Sequence, residues 1–225
     1  MAQLPLELPH RPALGRADFL VAPCNEAAVA WLDRWPRWPA PALALTGPSG
    51  SGKTHLAHVF AARAGARFID PAALTTAAVP ELLGAAAQAI VDEAQRAAEE
   101  PLLHLYNLLA ERRGQLLITA PQPPARWRIR LADLRSRLKA APSVAVAAPD
   151  ESLIAALLVK LFADRQLQVG EGLVAYLALH LERSFAAAQK AVAALDAAAL
   201  AEHRRITVPL AKRVLDLAAR DEAES

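Results

Sequence analysis

A single cysteine, Cys24, cannot form a disulfide within the chain, suits a reducing compartment, and reads as a small buried residue. The six histidines show no ligand spacing, which argues against a structural zinc site. Aromatic residues are scarce at 5%, while the hydrophobic share is 54% and led by alanine, so alanine-rich helices are expected to dominate. No apolar run is long enough to cross a bilayer, and the N-terminus lacks a basic region followed by an apolar stretch and a cleavage site. A cytoplasmic protein without a membrane partner is therefore expected. A net charge of +2 is too slight to announce nucleic-acid binding by itself. The length of 225 residues suits one compact unit or a larger plus a smaller domain.

What is present is concentrated in Gly47-Pro48-Ser49-Gly50-Ser51-Gly52-Lys53-Thr54, which meets the phosphate-loop pattern G-x-x-x-x-G-K-[ST] at every defined position. Its glycines let the backbone bend so that successive N–H groups turn toward phosphate oxygens. Lys53 would place its charge on the β- and γ-phosphates, Thr54 would offer a hydroxyl to Mg²⁺, and the following helix would aim its positive end at the same anion. The context fits, with an apolar strand over 42–46 before the loop and a helix over 55–63 after it.

Strands are also predicted over 66–70, 89–93, 115–120 and 143–146. The second of these ends in Asp92 and Glu93: Asp92 to hold Mg²⁺ through water, Glu93 to orient or deprotonate an attacking water. Thr119 ends the third, at the edge where ligands sit in open α/β sheets, within reach of the γ-phosphate or the water. A helix is predicted over 26–32 and another over 101–111, and Trp31, Trp35 and Trp38 read as packing residues. Arg126, Arg128, Arg130, Arg135, Arg137 and Lys139 oppose only Asp133 and make a local basic surface. From Glu151 onward the periodicity is helical only, over about 151–165, 172–183, 185–202 and 209–220, with Asp150 placed to cap the first.

This order resembles AAA+ ATPases: a phosphate loop, an acidic strand end, a polar-ended strand, an arginine-bearing helix and a helical lid. The stretches Phe19-Leu20-Val21 with Asn25, Leu103-His104-Leu105-Tyr106-Asn107 and Leu134-Arg135-Ser136-Arg137-Leu138 are similar to those of the Hda family of DnaA-related proteins, over about residues 19–220. The resemblance implies a parallel α/β P-loop core with helices on both faces over 11–149 and a small α-helical lid over 150–225. It implies ADP or ATP with Mg²⁺ as ligand, Asn25 beside the nucleotide, and Arg137 as an arginine finger acting in trans. Residues 1–10 would form an extended tail in which Gln3, Leu4, Leu6 and Leu8 dock the DNA polymerase III sliding clamp. That peptide joined to an AAA+ module is the family's layout, whereas DnaA continues past its lid into a helix-turn-helix domain.

In that family the clamp-bound protein promotes hydrolysis of ATP held by DnaA and so restrains replication initiation. DnaA is then the second partner, DNA contact is indirect or weak, and self-association depends on nucleotide. The lid helix that carries a sensing arginine in these proteins begins here with Phe185-Ala186-Ala187-Ala188, leaving Arg183 as the nearest candidate. Bound nucleotide is thus expected to set the shape of the chain rather than to power it. The rival readings are an autonomous DnaA-like ATPase that loads or remodels something on DNA, and an adaptor that binds DnaA or clamp without stimulating hydrolysis.

Overall fold

The computed structural model describes residues 21–202 and 204–223. The docking residues Gln3, Leu4, Leu6 and Leu8 lie outside them. Five parallel strands, β1 (Ala42–Thr46), β2 (Arg67–Ile69), β3 (Gln88–Val91), β4 (Gln115–Ala120) and β5 (Ser143–Ala145), form one sheet in the order β2-β3-β4-β1-β5. The strands β1 and β4 are buried at every residue because helices cover both faces, so they read as continuous apolar runs rather than as alternation. Side chains still part by face. Leu43, Leu45, Leu117 and Ile90 pack with α1 (Glu26–Asp33) and α2 (Lys53–Ala64). Ala42, Ala44, Leu116 and Ile118 pack with α3 (Val79–Leu83), α4 (Glu99–Glu111) and α5 (Ala132–Ala140).

The tryptophans pack as the sequence suggests. Trp38 stacks on Phe60 at 5.2 Å and its indole N–H donates to the Trp31 carbonyl at 2.8 Å, while Trp35 meets Phe60 edge-on at 6.0 Å. Burying Phe60 contributes about 2–3 kcal/mol by area. The short helix α3 was not expected from periodicity; at five residues, opening on Val79-Pro80, it offers too few turns for a helical repeat to register.

Four helices follow the sheet: α6 (Glu151–Asp164), α7 (Glu171–His180), α8 (Phe185–Ala201) and α9 (Val208–Ala223). Their apolar faces make a separate core that includes Ile154, Leu158, Phe162, Leu177, Val192 and Leu195. Asp150 starts this unit as its spacing predicts, its carboxylate accepting from Leu153 N–H at 2.8 Å. Ser184 does the same for α8, its hydroxyl oxygen accepting from Ala187 N–H at 3.0 Å. Each cap satisfies a donor that the first helical turn leaves without a partner. Among the described residues no helix is long and apolar enough to cross a membrane.

Candidate nucleotide site

The strand order reverses beside β1, and the crevice beyond the carboxyl ends of β1, β3 and β4 is where ligands settle in such sheets. A cavity of about 570 Å³ occupies it, lined by the phosphate loop, the ends of β3 and β4, and the start of α8. That volume is ordinary for a small-molecule site.

The loop is shaped as a cradle. Gly50 and Gly52 have φ of +72° and +96°, the left-handed region that costs other residues energy. A Cβ on Gly50 would lie 2.3 Å from Ser184 Cβ, and one on Gly52 would lie 3.2 Å from the Phe185 ring. The lid therefore rests on the loop itself, and Phe185 N–H donates to the Gly50 carbonyl at 3.2 Å. Ser51 is wholly buried, and its Oγ has no hydrogen-bond partner. Lys53, 9% exposed, donates to the carbonyls of Gly47 at 2.8 Å and Pro48 at 2.7 Å. Burial pushes its ammonium below the ordinary lysine value, against the opposing pull of Asp92 and Glu93. A partly desolvated cation, a glycine cradle and an orphaned hydroxyl fit a polyphosphate, whose oxygens can accept from all three.

The acidic wall is tied together. Thr54 Oγ1 donates to Asp92 Oδ2 at 2.9 Å, and Thr119 Oγ1 donates to Asp92 Oδ1. Thr119 also accepts from Glu93 N–H at 3.0 Å, so one buried hydroxyl fixes both acidic residues that follow β3. Glu93 has a positive φ of 52°, and its carboxylate pairs with Arg96 at 2.7 Å. Thr54 and Asp92 present hard oxygen donors to the loop, the donor chemistry that suits Mg²⁺ alongside phosphate oxygens. Among the described residues there is no cluster of three or more His, Cys, Asp or Glu able to hold a metal by itself.

The sites predicted from sequence divide. Ser49, Gly50, Gly52, Lys53, Thr54, Asp92, Glu93 and Thr119 line the one cavity, with Gly47, Pro48 and Ser51 in the same loop. Asn25, Arg183 and Arg137 stand outside its lining. Asn25 is 1% exposed and its Oδ1 accepts from Ala22 N–H at 3.0 Å, which closes the turn before α1. Arg183 faces Glu151 at 3.8 Å. Arg137 Nε donates to Asp133 at 3.0 Å, with its guanidinium 5.5 Å from the Tyr106 ring centre. The cavity also takes His55, His58, Phe185 and Gln189, which the motif does not name. His55 and His58 follow Thr54 on the loop helix, so helical spacing carried a signal for them. Phe185 and Gln189 lie more than 130 residues downstream of the loop and meet it only through the lid.

Comparison with known proteins accords with this geometry. Residues 150–215 match the family described as Hda, lid domain. Domain III of the replication initiation protein DnaA from Thermotoga maritima is similar over 93% of this chain and 98% of its own, at 18% identity and a TM-score of 0.76. An AMPPCP-bound DnaA from Aquifex aeolicus is similar over 79% of this chain and 63% of its own, at 16% identity and a TM-score of 0.65. The Thermotoga maritima RuvB Holliday junction branch migration motor is similar over 86% and 66%, at 16% identity and a TM-score of 0.66. No curated protein sequence matches the chain. At these identities the solved structures establish the fold, an AAA+-type α/β core followed by a helical lid, and within it residues 150–215 match the Hda lid-domain family.

Proposed function

We propose that this protein restrains replication initiation by stimulating hydrolysis of ATP held by DnaA, with Arg137 acting in trans and the N-terminal peptide docked on the DNA-loaded sliding clamp. The observation that carries the reading is the situation of Arg137. It stands outside its own chain's cavity, partly exposed on α5 and steadied by Asp133 and the Tyr106 ring. An arginine so held is preorganised to meet a phosphate on another molecule, and a finger of this kind is worth about 10³ to 10⁵ in rate. In the chain's own site, among the described residues the lid contributes no Lys or Arg to the cavity lining. That feature favours a bound nucleotide that sets shape over one that is rapidly turned over. The loop from Gly47 to Thr54 would hold the phosphates of ADP or ATP, with Thr54 and Asp92 beside Mg²⁺, which neutralises phosphate charge when bound.

The test is phosphate release from ATP-loaded DnaA with clamp on DNA, comparing the intact protein, its Arg137→Ala form and a form lacking residues 1–8. Stimulation that disappears in both variants supports the regulator. An intact protein that gives no stimulation yet hydrolyses ATP alone supports the autonomous ATPase instead, and stimulation that survives Arg137→Ala removes the finger.

A further inference from the structure

The arginines that precede α5 take no part in the function above. After a 3₁₀ turn over Pro124–Arg126 the chain bends at Trp127 and runs without regular structure to α5, with φ and ψ of −76° and 146° at Trp127 and −70° and 108° at Leu131. Burial alternates along it: Ile129 is 8% exposed and Trp127 is half-buried, whereas Arg126, Arg128 and Arg130 are exposed. The backbone is anchored from beneath. The Trp127 indole N–H donates to the Gln122 carbonyl at 2.8 Å, and the Glu99 carboxylate accepts from Arg130 N–H at 2.9 Å and Leu131 N–H at 2.7 Å. With its oxygens committed to the backbone, Glu99 forms no salt bridge with the Arg130 guanidinium, although its charge faces it. Neither Arg126 nor Arg128 has a carboxylate partner among the described residues, in contrast to Arg63 with Asp33 or Arg183 with Glu151.

We propose that this row binds the phosphodiester backbone of a nucleic acid. Three exposed guanidiniums within five residues, two of them with no carboxylate partner among the described residues, gather positive charge on one short segment, the footprint that a phosphate backbone meets. The planar guanidinium fork matches phosphate oxygens, and a fixed backbone lowers the ordering cost of binding. The half-buried Trp127 borders an adjoining cavity of about 320 Å³ together with Arg128, which offers a splayed base of a single strand an aromatic edge.

The experiment is anisotropy titration of a labelled mixed-sequence single strand, and of its duplex, with the full chain between about 50 and 200 mM salt. The combined Arg126→Gln, Arg128→Gln, Arg130→Gln variant is compared with an equally discharged Arg37→Gln, Arg113→Gln, Arg205→Gln control, all checked for folding by circular dichroism. Loss of three phosphate contacts is expected to flatten the log–log salt slope by about 2 on the single strand or about 3 on the duplex, in the row variant and not in the control. The polymer that shows the larger change identifies the form of nucleic acid. Absence of binding to either polymer, or equal slopes in the two variants, overturns the proposal. So does unchanged DNA binding in a row variant that no longer binds polyglutamate, which would assign the row to an acidic protein. The assay contains no nucleotide, DnaA or clamp, so its failure leaves the regulatory reading standing.

Discussion

Whether the lid truly rests on the phosphate loop can be tested by adding one methyl group at a time. Gly65→Ala is the reference: φ is +62° and an added Cβ meets nothing within 4 Å, so the substitution carries backbone strain alone, about 1–2 kcal/mol. Gly50→Ala carries similar strain at φ +72°, but its Cβ would stand 2.3 Å from Ser184 Cβ. Relief requires the start of α8 to withdraw, which breaks the hydrogen bond from Phe185 N–H to the Gly50 carbonyl and disturbs the Ser184 cap on Ala187. Each contributes about 1 kcal/mol. Gly50→Ala should therefore lose about 2 kcal/mol more than Gly65→Ala. Gly172→Ala, in open space inside α7, should gain up to about 1 kcal/mol from helix propensity. Urea unfolding of the three variants, with the slope checked for constancy, measures these differences. Equal losses at Gly50 and Gly65 would refute the seated lid, and with it the assignment of Phe185 and Gln189 to the nucleotide cavity.

Thr119→Val removes a buried hydroxyl that serves Asp92 and Glu93 N–H together. It should destabilise the fold by about 1–3 kcal/mol in chemical denaturation and weaken Mg-nucleotide binding in calorimetry, whereas Thr119→Ser should retain most of both. Arg137→Ala should leave thermal stability nearly unchanged, because its ion pair is solvent-exposed, while removing the stimulation of DnaA; Arg137→Lys should not restore it. Asp150 is held below the ordinary aspartate range first by the Leu153 N–H and then by Ser152. Its folded-state value is depressed, so its contribution is present above the unfolded value of 3.8 and is lost as pH falls through the lower folded value. Thermal melts should accordingly show Asp150→Ala less stable than the parent at neutral pH, with the gap closing in acid; a gap independent of pH would contradict the cap.

The sequence alone determined the elements whose signals are local. The strands β1, β3 and β4 are short apolar runs closed by Gly47, Asp92 and Pro121, and the phosphate loop is contiguous, so its glycines, Lys53 and Thr54 were legible before any fold was known. Asp92, Glu93 and Thr119 could be placed at strand ends, because a parallel sheet brings its carboxyl ends to one edge. Tertiary structure decided the rest. That Thr119 holds both Asp92 and Glu93 N–H depends on β3 pairing with β4, where Val91 stands opposite Ile118. That Glu93 is already paired with Arg96 depends on the left-handed turn after β3. The sequence marked Arg183 as the lid's nearest arginine, yet the direction of a side chain at a helix junction is fixed by packing. Arg183 turns to Glu151, while Phe185 and Gln189, on the succeeding helix, face the loop. Periodicity reports which residues are buried but not against what, and a cavity formed between two units is created only when their separate cores fold and meet.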